Sequence, residues 1–200
     1  MMRAAMSARP PEIVLVRHGE TEWSRTGRHT GRTDIPLTEH GRAQARTVGE
    51  ALAGRRFTLV LTSPLSRAVD TSRLAGFGER AIVRQELMEW DYGDYEGRTT
   101  VDIRKERPDW SLWRDGAPVG ESPEQVGARV DRVIAELREA GGDAVVFAHG
   151  HVLRVLAARW LGLEPAAGRL LALDPATLST LGYERETAVI RIWNESAQRA

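Results

Sequence analysis

The stretch Glu12-Ile13-Val14-Leu15-Val16-Arg17-His18-Gly19 sets an unbroken apolar and β-branched run against a basic pair and a glycine. A run without polar alternation is the pattern of a strand buried on both faces, and it breaks at His18-Gly19. Phe57 to Leu61 and Ala144 to Ala148 have the same character. Between these runs lie helical patterns with start signals: Thr38 and Ser63-Pro64 at helix entrances, and Ser122-Pro123-Glu124-Gln125 as a capping box with proline at the first helical position. The helix opened by that box carries Val126, Val130, Val133, Ile134 and Leu137 on one stripe and stops at Gly141-Gly142. Strands alternating with helices predict an α/β fold, a three-layer sandwich with a mostly parallel central sheet flanked by helices. Ligands of such sheets bind outside the carboxyl ends of the strands. Two strands here end alike, in Arg17-His18-Gly19 and His149-Gly150-His151.

The 200 residues suffice for one well-buried domain, read as residues 12–194 between an N-terminal tail, 1–11, and a polar C-terminal tail, 195–200. Within it, 89–121 crowds Trp90, Tyr92, Tyr95, Trp110 and Trp113 among glycines and prolines with no clean period. This reads as an excursion over one end of the sheet, either a pocket mouth or an aromatic mini-core under a long loop. Lys+Arg and Asp+Glu are 28 each. Without net charge, nothing global draws the chain to nucleic acid or to a membrane surface, and neither is expected as a partner. Residues 1–11 lack the apolar core of a secretory signal, and no apolar run approaches the roughly 20 residues of a membrane span, so a cytoplasmic location is expected. The absence of cysteine rules out a disulfide scaffold, a thiolate nucleophile and Cys-ligated metal. Lys105 is the only lysine, and the arginine excess is read mainly as compositional bias.

Two of the five histidines, His18 and His149, directly follow strand-like runs. A neutral imidazole is a competent nucleophile towards phosphorus, and passing a phosphoryl group through it splits one displacement into two. Phosphoryl transfer also requires neutralisation of the equatorial oxygens, which the planar fork of arginine supplies, and an acid for the leaving alkoxide. The required set is therefore a nucleophilic histidine, about two arginines, a further donor and one carboxyl.

Leu15-Val16-Arg17-His18-Gly19-Glu20-Thr21 resembles the signature of the histidine phosphatase superfamily, phosphoglycerate-mutase-like branch. The resemblance continues in family order through Thr30-Gly31-Arg32-Thr33-Asp34-Ile35-Pro36-Leu37-Thr38, Thr62-Ser63-Pro64-Leu65-Ser66-Arg67-Ala68, Glu89 with Gly93 and Tyr95-Glu96-Gly97, Gly120-Glu121-Ser122 and Ala148-His149-Gly150. It implies His18 as the nucleophile, Arg17 and Arg67 as clamps on the phosphoryl oxygens, and His149 completing the pocket, cationic once the dianion is bound. Glu89 is implied as proton donor and then as base for water. Ser24, where many relatives carry asparagine, Thr30 and Gly31, through backbone N–H groups and a hydroxyl, and Gly150 are implied as substrate-binding. Asp91, Asp94 and Glu96 remain alternative proton donors, and Glu20 is read as orienting an arginine.

The implied activity resembles that of bacterial broad-specificity acid phosphatases: hydrolysis of small phosphomonoesters without a cofactor, in a chain that could form a homodimer. A phosphoglycerate mutase using the same phosphohistidine is the alternative. It is disfavoured because Trp90-Asp91-Tyr92, after Glu89, supplies no cation, and Asp91 and Asp94 would repel a substrate carboxylate that Arg98 and Arg104 only partly compensate. A non-catalytic phosphate-binding module is more remote. A metal site at His18, His149 and His151 is not expected, since alternate residues at a strand end diverge.

Overall fold

The computed structural model describes residues 9–199. In chain order the elements are β1 (Ile13–Arg17), α1 (Glu22–Arg25), α2 (Glu39–Ala51), β2 (Leu59–Thr62), α3 (Ser66–Leu74), β3 (Ile82–Val83), α4 (Thr100–Glu106), α5 (Leu112–Asp115), α6 (Pro123–Glu139), β4 (Ala144–Ala148), α7 (Gly150–Trp160), β5 (Thr177–Glu184) and β6 (Thr187–Ser196). They form one six-stranded sheet in the order β3-β2-β4-β1-β5-β6. β1, β2, β3 and β4 run parallel to their neighbours among themselves, whereas β5 pairs antiparallel with both β1 and β6. The sheet is thus mostly parallel, with helices on both faces.

Alternation along β1 explains its unbroken apolar sequence. Ile13 and Leu15 join a core with the apolar stripe of α6 and with α7, while Val14 and Val16 join another with Val48 and Leu52 on the α2 side. Burying these four side chains contributes roughly 8 kcal/mol before conformational entropy is counted. Two of the expected helix starts form where the sequence puts them. Ser122 accepts from Gln125 N–H and the Gln125 side chain accepts in return, with Pro123 opening α6. Thr38 caps α2 by accepting from Gly41 N–H.

Ser63-Pro64 does not open a helix: α3 begins at Ser66 with Leu65 as its N-cap, and the Ser63 hydroxyl serves a histidine instead. Of the expected C-terminal tail, residues 195–199 are ordered parts of the fold, and Ala200 lies outside the described residues. β6 runs to Ser196, a 3₁₀ turn spans Ala197–Arg199, and Ala197 is buried in the α2-side core. These residues read as polar because β6 is an edge strand whose side chains stay largely accessible. At the other end, Arg9 pairs with Glu12 and Asp143, while residues 1–8 of the expected tail lie outside the described residues.

In 89–121, Trp90, Tyr92, Tyr95 and Trp110 are buried in continuity with the α6/α7 core, and Trp90 meets Trp113 edge to face at 5.5 Å. The mini-core reading describes most of this aromatic cluster. β1, β2 and β4 end at one edge, where His18 N–H donates to the Ala148 carbonyl and Ser63 N–H to the Phe147 carbonyl. At that same edge Ala176 N–H, just before β5, donates to the carbonyls of both Arg17 and His18.

Candidate active site

His18 is buried at the end of β1, and its Nδ1 lies 2.7 Å from the Gly19 carbonyl oxygen. A carbonyl only accepts, so Nδ1 carries the proton and donates. In the neutral ring, Nε2 therefore keeps its lone pair. Burial, with Arg67 and Arg17 adding to it, pushes the imidazole well below its ordinary pKa and keeps it neutral. Gly19 cannot be replaced without a shift, because a Cβ there would stand 2.3 Å from the Gly41 carbonyl oxygen.

Behind His18 lies a dry layer. Arg67 is wholly inaccessible and donates through Nε to His149 Nδ1, through Nη1 to the Thr33 carbonyl, and through Nη2 to the carbonyls of Thr30 and Gly31. Four of its five N–H groups are thus spent on the chain. Because His149 Nδ1 accepts from Arg67, its proton sits on Nε2 and goes to Ser63 Oγ at 2.7 Å. Burial and the nearby cations, Arg67 first, hold His149 well below its usual pKa. It is neutral without an anion, and a second proton would displace the Arg67 bond.

In front of His18 a cavity of about 290 Å³ opens, lined by Arg17, His18, Ser24, Thr30, Glu89 and Gly150 from the residues the sequence singled out. Arg17 Nη1 donates to the Leu173 carbonyl, and its Nε is the one buried side-chain nitrogen or oxygen without a hydrogen-bond partner among the described residues. Burial lowers its pKa while Glu89 opposes that, and the guanidinium stays charged. It packs over Gly150, where a Cβ would meet Cζ and Nε at 3.4 Å. Gly150 opens α7, so its own N–H has no partner within the helix.

Glu89 is the carboxylate on this wall. Its Oε1 accepts from the N–H groups of Trp90 and Val152, and Oε2 accepts from His151 N–H. The α7 N-terminus has no side-chain cap from His149, and Glu89 takes that place from a distant part of the chain. None of the alternative donors lines the cavity. Asp91 is bound by Arg32, Glu96 accepts from the N–H groups of Gly31 and Thr33, and Asp94 is exposed. Glu20 accepts from the Thr38 hydroxyl instead of orienting an arginine.

Gly31 differs most from expectation. Its N–H is committed to Glu96, and a Cβ would lie 2.5 Å from the Trp90 carbonyl oxygen, so glycine is needed for packing. Ser24 lines the cavity, but its hydroxyl donates to the Thr21 carbonyl within the α1 capping box. Thr30 donates its hydroxyl to the Arg28 carbonyl.

The sequence reading missed Arg28, His29, His151 and Arg154, which also line the cavity with Tyr92. His151 Nδ1 is 2.7 Å from the Tyr92 hydroxyl. Burial pushes His151 well below its usual pKa, lowers His29 to about 4, and raises Tyr92 well above a free phenol's. All three are neutral hydrogen-bonding rings. His149 and His151 belong to the start of α7 and turn to Ser63 and Tyr92 respectively, so their separation comes from a helical turn and not from strand alternation.

Residues 13–196 match the model of the histidine phosphatase superfamily, branch 1. An acid phosphatase of Mycobacterium tuberculosis is 41% identical over 192 residues, covering 92% of this chain and 94% of the relative. A sedoheptulose 1,7-bisphosphatase of Saccharomyces cerevisiae is 39% identical over 191 residues, covering 79% of this chain and 70% of the relative. The solved structure of a Mycobacterium tuberculosis open reading frame superposes with a TM-score of 0.89 at 39% identity, over 94% of this chain and 98% of that one.

Proposed function

The chain belongs to the histidine phosphatase superfamily, branch 1, and from that membership we propose that it hydrolyses small phosphomonoesters through a phosphohistidine at His18. The observation that carries this reading is the state of the His18 ring: neutral, with its proton fixed towards Gly19 and the Nε2 lone pair left for phosphorus.

In the proposed reaction Nε2 attacks phosphorus as the bond to the leaving oxygen breaks, and Glu89 hands that oxygen a proton. Water then attacks the phosphohistidine, Glu89 takes its proton, and inorganic phosphate leaves. Arg17 Nε and Gly150 N–H are the donors free to meet the equatorial oxygens. Arg67 contributes its charge from behind the wall, and its bond to His149 fixes that ring beside His18, 5.1 Å between centroids. No cofactor enters these steps. Hydrolysis is favoured over the mutase reaction by the absence of a basic residue in Trp90-Asp91-Tyr92 and by similarity to a relative named as an acid phosphatase.

The test is phosphate release from p-nitrophenyl phosphate by the wild type and His18→Ala, with acid-labile label on the protein after a radiolabelled ester is added. Loss of both turnover and label in the variant is expected. Retained turnover would remove His18 as nucleophile. Conversion of 3-phosphoglycerate to 2-phosphoglycerate without phosphate release would assign the site to the mutase.

A further inference from the structure

Among the described residues a single hydrogen bond orients the Arg17 guanidinium, the one from Nη1 to the Leu173 carbonyl. The group is planar, so fixing Nη1 also fixes the direction of Nε, the buried donor that has no partner. Leu173 lies on residues 171–176, a connection without helix or strand that runs from the 3₁₀ turn Pro165–Leu170 into β5. A carbonyl on such a segment orients an arginine only if the peptide groups around it are themselves held.

They are held from β6, two strands away from Arg17 in the sheet. Leu178 pairs with Glu195 and Thr180 with Ile192, so Ser179 of β5 faces two residues of β6, Trp193 and Asn194. This is a β-bulge, a device that re-aims side chains, and here both turn to the connection. Trp193 Nε1–H donates to the Ala172 carbonyl. Asn194 Oδ1 accepts from Asp174 N–H at 2.7 Å, and its Nδ2 donates to Asp174 Oδ2 at 2.9 Å. The residues on either side of Leu173 are thus fastened by two adjacent residues of the bulge. Asn194 itself has a φ of 56°, a left-handed conformation that asparagine tolerates better than most side chains, and its N–H donates to the buried Ser179 hydroxyl. The β5–β6 ladder already pairs the strands on both sides of the bulge, so joining the hairpin requires none of the three side-chain bonds.

We propose that Asn194 and Trp193 are positioning residues of the phosphate site. The bulge sets the Leu173 carbonyl, the carbonyl sets Arg17, and Arg17 Nε meets an oxygen of the bound phosphoryl group. Neither Asn194 nor Trp193 lines the cavity, so both act through Arg17. This rests on the hydrolase reading above for the role of Arg17 and extends it to the edge of the sheet. An arginine held in place before the anion arrives loses less freedom on binding, so releasing it weakens phosphate binding and raises KM more than it lowers kcat.

The experiment measures kcat and KM for p-nitrophenyl phosphate, and the Kd of inorganic phosphate by calorimetry, in the wild type, Asn194→Gly and the paired exchange Asn194→Asp/Asp174→Asn. Asn194→Gly keeps the left-handed backbone and removes the side-chain bonds; it should raise KM and Kd about tenfold and change kcat less than about threefold. The paired exchange swaps donor and acceptor at constant charge and should return both constants to within about threefold of the wild type. In an Arg17→Ala background Asn194→Gly should change kcat/KM less than about twofold, whereas a loosened hairpin acting apart from Arg17 would lower it as much as in the wild type. Wild-type KM and Kd in Asn194→Gly overturn the proposal, as does a full loss in the Arg17→Ala background. If Asn194→Gly does not fold, Trp193→Phe, which removes one N–H and keeps an aromatic ring, carries the test: a Kd raised about threefold is expected, and an unchanged Kd overturns the proposal. If the hydrolase reading itself fails, His18→Ala still releases phosphate from p-nitrophenyl phosphate. The Kd of inorganic phosphate does not depend on turnover, which separates the two failures.

Discussion

The two arginines that the sequence assigns to one clamp live in opposite surroundings. Arg67 is dry and has given four N–H groups to the chain, whereas Arg17 borders the cavity and keeps a buried Nε without a partner. A buried donor left unsatisfied costs about 1–3 kcal/mol, and one that borders a polar cavity is placed to donate to whatever fills it. The front wall is therefore organised for binding and the rear wall for holding the front in place. Arg17→Ala is the sharpest test of the difference. It should lower kcat/KM for p-nitrophenyl phosphate by about 10³, roughly 4 kcal/mol, while leaving the melting temperature within a few degrees. A large fall in stability without that kinetic loss would erase the distinction.

Arg67→Lys is the mirror experiment. A lysine cannot reach three carbonyls and an imidazole at once, so the change should cost about 3 kcal/mol of stability, or roughly 6–12 °C in Tm for a domain of this size. Activity should fall too, because His149 and the Thr30–Thr33 loop lose their common anchor. If activity fell with Tm unchanged, Arg67 would belong to the front wall with Arg17.

The same contrast marks what could be read from the sequence. β1, β4, the α6 cap and stripe, and the His18 and Glu89 positions were legible because each depends on local pattern or on an ordered motif. Ser63-Pro64 misled because a serine before proline looks like a cap, whereas its partner, His149, is distant in sequence. Which donors would be consumed was not legible. Gly31 N–H meets Glu96, and Arg67 meets three loop carbonyls, only once the chain between them has folded. Arg28 and Arg154 were hidden for a different reason. In a chain so rich in arginine, only spatial separation from acids makes a guanidinium conspicuous.

Acid should weaken both walls together. His18, His29, His149 and His151 are all held below the usual histidine pKa, His29 at about 4. Below about pH 6.5 the unfolded chain binds protons that the folded chain refuses, so stability falls as pH falls, by up to about 1.4 kcal/mol per pH unit for each such histidine. For His29 that loss runs from about pH 6.5 down to about 4. Tm measured from pH 7.5 to 4.5 should decline steeply below 6.5, and inorganic phosphate should offset part of the decline. Because His18 stays neutral in the folded protein, turnover of p-nitrophenyl phosphate at pH 5.5 should not show the loss expected of an imidazole with an ordinary pKa. A flat Tm across this range would mean that the rings are not held neutral.

The smallest expected effect comes from Ser63→Ala. It removes the acceptor for His149 Nε2–H and for Leu65 N–H in a fully buried spot, at a cost of about 1–2 kcal/mol. Catalysis should change less than threefold, since the Arg67 bond still holds His149 Nδ1 and no cavity-lining residue is altered. The tautomer is the finer readout. In the wild type, ¹⁵N chemical shifts should place the protons on Nδ1 of His18 and Nε2 of His149, opposite tautomers in adjacent rings. If Ser63→Ala left Tm unchanged while slowing turnover more than tenfold, the hydroxyl would act on the reacting groups, and the rear wall would be part of the chemistry.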